Sequence, residues 1–344
     1  MSDIVGVSVG VDYHEDSVRV CVLEGDGREL ASRTLPNDPR AVRNLVIRCG
    51  RPEVVVIEAC CGAADFATKL IELTGWKVQL AHPGYVNRMK QGPDKTDCRD
   101  AWLLADLGRV NYVPQVWLAD EKTRQLRRLV RYREGLKAER KNVKLRIRAL
   151  LREERIPAPH ANAWTKAWRE WLKTAPLGDE SRWVMNREIE HLAGLEADLR
   201  AVEKRMQQAT RDDADTQKLL AQDGIGLVTA VTLRAAIGRF DRFGSGKQLA
   251  RFCGVTPCNA SSGKRQSDAG LIKAGSRELR AVIIQAAKRL PRHVSRWREL
   301  KQRLGRKKSA NLVTAAIANR WLRWLYHQMV SRPALERMAQ QAVA

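Results

Sequence analysis

The sequence predicts an α/β N-terminal domain followed by an all-α remainder, and three observations carry that expectation. Short valine-rich runs alternate with helix-like segments over the first hundred residues, and two of the runs end in an acid. From residue 121 to 155 there is no proline and no glycine except Gly135, as a long helix requires. Charge is segregated as well. Residues 1–100 hold 13 Lys and Arg against 15 Asp and Glu, a net −2, whereas residues 101–344 hold 49 against 24, a net +25.

The run Ile4-Val5-Gly6-Val7-Ser8-Val9-Gly10-Val11-Asp12 suits a buried strand, which leaves the Asp12 carboxylate at a strand end. Residues 18–23 and 29–35 read as two further strands separated by the turn Gly25-Asp26-Gly27. Three antiparallel strands in a meander are therefore expected, the opening of a ribonuclease H-like fold. A helix over 39–49 leads to Val54-Val55-Val56-Ile57-Glu58, apolar until it ends in a second acid, as in a central strand covered on both faces. A helix over 64–74, a strand over 77–81 and then Pro83-Gly84 follow. The next helix carries Asp97 and Asp100, three apart and so on one face.

The helix over 121–155 places Leu126, Leu129, Val130, Leu136, Val143, Ile147 and Leu150 at helical spacing among many Lys and Arg, and Pro157 and Pro159 stop it. Trp164, Trp168 and Trp171 come next, spaced either as packing residues or as platforms for unpaired bases. Met185, Leu192, Leu199 and Met206 recur every seven residues, with Ile189, Leu195 and Val202 on the same side, a heptad-like seam. Its partner is either the 121–155 helix or another subunit, and a coiled-coil contribution to dimers is the expectation.

Residues 219–237 read as two short helices joined by Gly224-Ile225-Gly226, a helix-hairpin-helix-like pattern. Glycines there let backbone amides approach phosphate, and Arg234, Arg239 and Arg242 add positive charge. Ala260-Ser261-Ser262-Gly263-Lys264-Arg265 reads as a small loop between helices. Residues 276–289 and 309–328 read as amphipathic helices, each with a serine N-cap, and Arg306-Lys307-Lys308 before the second is a candidate backbone-contact cluster.

Asp12, Glu58, Asp97 and Asp100 are the strongest chemical signal. Two divalent ions about 4 Å apart stabilise the attacking and leaving oxygens of phosphodiester displacement, and Mg²⁺ prefers carboxylate oxygen and water. Carboxylates from two strand ends and one helix face would hold such a pair. Any one of 39 acidic residues can fall at a strand end by chance; the ordered set is the signal. Asp94, in Gly92-Pro93-Asp94, fits turn or cap chemistry better.

With these residues the chain resembles the bacterial insertion-sequence transposases that have a RuvC-like DEDD domain, a group including the Piv-type invertases and the bridge-RNA-guided recombinases. The matching segments are Val9-Gly10-Val11-Asp12, Ile57-Glu58-Ala59 and Lys95-Thr96-Asp97-Cys98-Arg99-Asp100-Ala101. Downstream, Leu219 to Gly226, Phe240-Asp241-Arg242-Phe243, Gly254-Val255-Thr256-Pro257, Ser261-Ser262-Gly263-Lys264 and Lys273-Ala274-Gly275 follow the C-terminal transposase domain in order. The resemblance implies a RuvC-like domain over 1–115, a basic helical or coiled-coil linker over 116–212, a mainly helical transposase domain over 213–330 and a tail over 331–344. It implies that a serine before glycine attacks DNA beside the DEDD Mg²⁺ site. Ser262 directly precedes Gly263 and is the first choice, with Ser261 open. It also implies a homo-oligomer and an element-encoded guide RNA that pairs with donor and target DNA. Nucleic-acid contacts are then expected from Lys95, Arg99, Gly224, Gly226, Arg239, Arg242, Lys264, Arg265, Lys273, Arg306, Lys307 and Lys308.

Composition bounds the reading independently. A net charge of +23 calls for a polyanionic partner, because basic side chains release counterions condensed on phosphates. Seven cysteines with no Cys-x-x-Cys pair argue against a disulfide framework or structural zinc. No stretch approaches the roughly 18 to 20 apolar residues that span a bilayer, and there is no basic-then-apolar leader, so a cytoplasmic location is expected. Two other functions remain compatible with the residues. One is a Holliday-junction resolvase-like nuclease without serine chemistry; the other is a nucleic-acid-binding protein with a vestigial acidic pocket.

Overall fold

The computed structural model describes residues 6–90, 97–159, 162–259 and 268–330. Lys95, Ser261, Ser262, Lys264, Arg265 and the 331–344 tail lie outside the described residues. The chain divides after Asp120 into two units.

In the first unit, β1 (Gly6–Tyr13), β2 (Ser17–Glu24) and β3 (Glu29–Pro36) form the expected antiparallel meander. After α1 (Pro39–Cys49), β4 (Arg51–Glu58) pairs parallel to β1. After α2 (Ala63–Thr74), β5 (Val78–Ala81) pairs parallel to β4, and the short β6 (Gln115–Val116) closes the edge antiparallel. The order β3-β2-β1-β4-β5-β6 is the mixed sheet expected of a ribonuclease H-like domain. Strand alternation divides β4 between two layers. Val55 and Ile57 pack with Val42, Val46, Phe66 and Leu70 of α1 and α2, whereas Val54 and Val56 pack with Leu104 and Leu107 of α4 (Asp97–Arg109).

Pro83-Gly84 opens a helix, α3 (Pro83–Met89), where the sequence pattern had marked no element. Proline suits the first helical position, where its missing N–H has no partner to lose, and His82 caps the end by accepting from the Gly84 amide at 3.1 Å.

The second unit begins with α5 (Glu121–Glu153), followed by α6 (Lys166–Thr174) and α7 (Asp179–Ala209). Leu192, Leu195, Leu199 and Val202 of α7 are buried against Leu136, Val143, Ile147 and Leu151 of α5 and against Trp168 and Leu172 of α6. The heptad-like seam is thus occupied within the chain, which overturns its use as the reason for a dimer. Trp168 is fully buried and packs at a tilt against both Trp164 and Trp171, so the tryptophan cluster is core packing.

Beyond it lie α8 (Ala214–Leu220), α9 (Leu227–Ile237) and α10 (Gly246–Phe252). The first helix of the glycine-joined pair thus ends at Leu220, where the sequence pattern had it beginning. The strands β7 (Pro257–Asn259) and β8 (Asp268–Leu271) pair antiparallel, so the serine-containing segment is flanked by strands and not by helices as expected. The helices α11 (Arg277–His293), α12 (Ser295–Gly305) and α13 (Ala310–Met329) complete the unit. Their core gathers Ile283, Leu290, Trp297, Ile317, Trp321 and Tyr326, and the Tyr326 hydroxyl donates to the Phe243 carbonyl at 2.7 Å. All seven cysteines are free thiols, and burial pushes Cys253 up to about 12. No helix among the described residues is long and apolar enough to cross a membrane.

Candidate metal centre and nucleic-acid surface

The position of α4 over the sheet follows from small residues. A Cβ on Gly10 would collide with the Ala101 carbonyl oxygen and the Ala105 amide nitrogen, and one on Gly108 would press on Val54 and Val56. Gly10, Ala101 and Ala105 therefore let backbone approach backbone, and Gly108 makes room for the β4 valines, which brings the first turn of α4 to the β1 end that carries Asp12. The exposed Cys98 fastens that turn from the side. Its thiol contacts Ser32 at 3.5 Å and Arg19 at 3.4 Å, and these two bonds hold it below the usual thiol range.

Parallel pairing of Val11 with Ile57 sends the next residues, Asp12 and Glu58, off adjacent strand ends. Both carboxylates act on Cys60, whose thiol is raised first by burial and further by Glu58 and Asp12. Asp12 has a side chain 13% exposed, and His14 Nε2 lies 3.3 Å from it and 3.6 Å from Asp97 Oδ2. One ligand atom from each of Asp12, His14 and Asp97 falls within 4.8 Å of the others. Burial is the main force raising the Asp12 carboxyl above its usual range; His14 opposes it, and the charges of Asp100 and Asp97 add to it. Asp100 is buried and accepts from Lys90 Nζ at 2.7 Å.

Oxygen-rich donors crowded at a partly buried point fit a divalent cation, because the charge that burial and mutual repulsion disfavour is what a cation offsets. His14 and Lys90 were missed in the sequence. The signal for His14 was only its nearness, two residues beyond Asp12 and just past the end of β1. Lys90 had none.

The remaining candidates are dispersed. Arg99 is exposed on α4. Gly226 is the exposed N-cap of α9, whose first turn has no capping side chain, and Gly224 has φ 79°, a left-handed conformation suited to glycine. Arg239 is exposed and pairs bidentately with Asp241 at 3.1 and 2.8 Å. Arg242 is withdrawn from the surface: it donates to the Ile237 carbonyl, its guanidinium lies 4.2 and 4.7 Å from the Phe243 and Phe252 ring centres, and burial lowers its pKa to about 10. That placement makes it a packing residue, contrary to its expected role on phosphate. Lys273, Arg306, Lys307 and Lys308 are exposed.

Comparison with known proteins bears on the family. A DEDD transposase model matches residues 9–155, and a model described as Transposase IS116/IS110/IS902 family matches residues 216–302. A probable family 20 transposase of Pseudomonas aeruginosa is 31% identical over 290 residues, which cover 80% of this chain and 83% of that protein. The chain belongs to the IS110-type insertion-sequence transposases. The transposase is also similar to that of insertion sequence element IS1111A from Coxiella burnetii, 25% identical over 91% of this chain and 86% of the relative. The IS1328 transposase of Yersinia enterocolitica is 24% identical over 92% and 94%. As a transposase it acts on DNA by cutting and rejoining strands.

Proposed function

We propose that this transposase recombines DNA using Mg²⁺, as two ions, held by Asp12, Glu58, Asp97 and Asp100, and a serine nucleophile. The convergence of Asp12, His14 and Asp97 within 4.8 Å at the end of β1 is the observation that carries the metal reading. Bound Mg²⁺ supplies charge neutralisation at phosphate oxygens. The chain's own residues do the rest. The strand ends and α4 orient the carboxylates, His14 and Lys90 temper their repulsion, and the basic surface holds the DNA. Ser262, with Ser261 as the alternative, attacks phosphorus; the phosphodiester bond to the displaced strand end breaks, and the serine proton passes by way of solvent to that strand's oxygen, which leaves as a hydroxyl. Attack by a second strand's hydroxyl then releases the serine.

In this reading residues 1–115 carry the metal site, 116–212 form the basic linker, and 213–330 supply the serine and further backbone contacts. An element-encoded RNA selects donor and target by pairing, and the protein works as a homo-oligomer.

The test is incubation of the protein with flanking-sequence RNA, labelled donor and target DNA and Mg²⁺, read on a denaturing gel. A protein–DNA adduct lost with Ser262→Ala and with Asp12→Ala supports the reading, and loss with Ser261→Ala alone reassigns the nucleophile. Cutting without an adduct overturns the serine step in favour of hydrolysis.

A further inference from the structure

The helices α12 and α13 are joined by the short connection 306–309 and turn Trp297, Leu300, Ile317, Trp321 and Leu325 into the core. Their outer faces border a groove of about 930 Å³. Arg296 and Arg303, seven apart on α12, Arg306 at the turn, and Arg320 and Arg323 on α13 line it, with Glu299 the one acid among its described lining residues. All five arginines are exposed, and among the described residues none forms an ion pair. Arg296 rests 5.0 Å from the Trp297 ring centre. Elsewhere in the same unit arginines are neutralised, as Arg169 is by Glu196 at 2.7 Å and Arg234 by Asp213 at 3.1 Å. Five uncompensated guanidinium groups on facing helices repel one another, so the arrangement is stable only at a cost that a polyanion relieves.

The floor adds a second element. Trp324 is half-buried, one turn from Arg320, and meets Trp297 edge-on at 6.5 Å, which fixes the indole in place. Planar guanidinium groups suit phosphate oxygens, and a held indole suits a base face. A duplex presents a convex rod with its bases stacked inside, whereas an unpaired strand can enter a concave groove and offer both phosphate and base.

We infer that the groove between α12 and α13 binds the backbone of a single nucleic-acid strand, with Arg303, Arg320 and Arg323 on phosphates and Trp324 against a base. The inference rests on the proposed action on nucleic acid, but not on the metal or serine chemistry.

Fluorescence anisotropy with the full chain tests it, using a short uridine-only RNA, a thymidine-only DNA of the same length and a duplex of that length, each over a salt series. The triple variant Arg303→Ala, Arg320→Ala, Arg323→Ala is expected to weaken single-strand binding about tenfold or more and to reduce the salt slope by about 2, at roughly 0.7 for each phosphate left without its arginine. The corresponding lysine variant keeps the charge and restores most of the slope. Trp324→Ala weakens binding with the slope intact. Preference for RNA or for DNA assigns the strand. An unchanged slope in the triple alanine variant, or tighter binding of the duplex than of either single strand, overturns the proposal. Asp12→Ala, run alongside, retains wild-type binding while losing strand cutting, so failure of the metal chemistry and failure of the groove give different results.

Discussion

Lys90 sets its ammonium 2.7 Å from Oδ2 of Asp100, a carboxylate 6% exposed on the face of α4 that looks toward Asp12. A buried carboxylate needs a partner, and here a lysine stands where the proposed metal would compete for the same oxygens. Removing the lysine therefore has two effects of opposite sign. Lys90→Ala leaves Asp100 uncompensated and should cost about 3 kcal/mol in the absence of metal. Mg²⁺ should then raise the melting temperature of the variant by more than that of the wild type, because the freed carboxylate is available to it. Differential scanning fluorimetry with and without Mg²⁺ measures both, and equal shifts in the two proteins would rule out competition for Asp100.

The approach of α4 to β1 depends on Gly10. Gly10→Ala inserts a methyl between two backbones, where neither neighbour is a flexible side chain that can move away. A loss of about 1–3 kcal/mol is expected, with strand cutting reduced further than stability alone explains, because Asp97 and Asp100 shift relative to Asp12. Chemical denaturation and a cutting assay at a temperature where the variant is fully folded separate the two. Full activity in the folded variant would show that the helix position tolerates the displacement.

These two residues mark how far the sequence carried. Alternation, apolar runs and terminal acids made β1, β2, β3 and β4 readable, and the register of Val11 with Ile57 then follows from the pleat. Asp97 and Asp100 shared a face by spacing alone. Lys90 was not legible, since its meeting with Asp100 is made by tertiary packing between α3 and α4, and no period in the sequence encodes it. Arg242 misled for a related reason. A composition-level reading treats an arginine near glycines as a phosphate ligand, whereas two phenylalanine rings and a carbonyl had already claimed this one.

The heptad seam of α7 gives a further test. Leu192 and Leu199 are buried against α5 within one chain, so Leu192→Ala should destabilise the second unit by about 2–5 kcal/mol whatever the protein concentration. Urea denaturation over a wide concentration range reads this directly. A midpoint that rises with concentration for wild type and not for the variant would place the seam between subunits.

A buried pair ties the second unit together and predicts its acid response. Asp213 caps α8, accepting from the Thr216 amide at 2.9 Å and hydroxyl at 2.7 Å, and meets Arg234 Nε of α9 at 3.1 Å; Arg234 Nη1 in turn donates to Thr123 of α5 at 3.1 Å. Burial works to raise the Asp213 carboxyl, but the two Thr216 bonds and Arg234 together outweigh it and hold the group below its ordinary 3.8. With the folded value depressed, the stabilisation is fully present above the unfolded value and is lost as pH falls through the folded one. Asp213→Asn keeps an acceptor for Thr216 but removes the charge facing Arg234, so it should cost about 3 kcal/mol at pH 7. The gap between variant and wild type should narrow as pH falls from 3.8, the ordinary value, toward the lower folded one, below which the wild-type carboxyl is itself neutralised. Thermal unfolding of both proteins from pH 7 downward checks this, and a gap that stays constant with pH would mean that hydrogen-bond geometry, not charge, sets the worth of the pair.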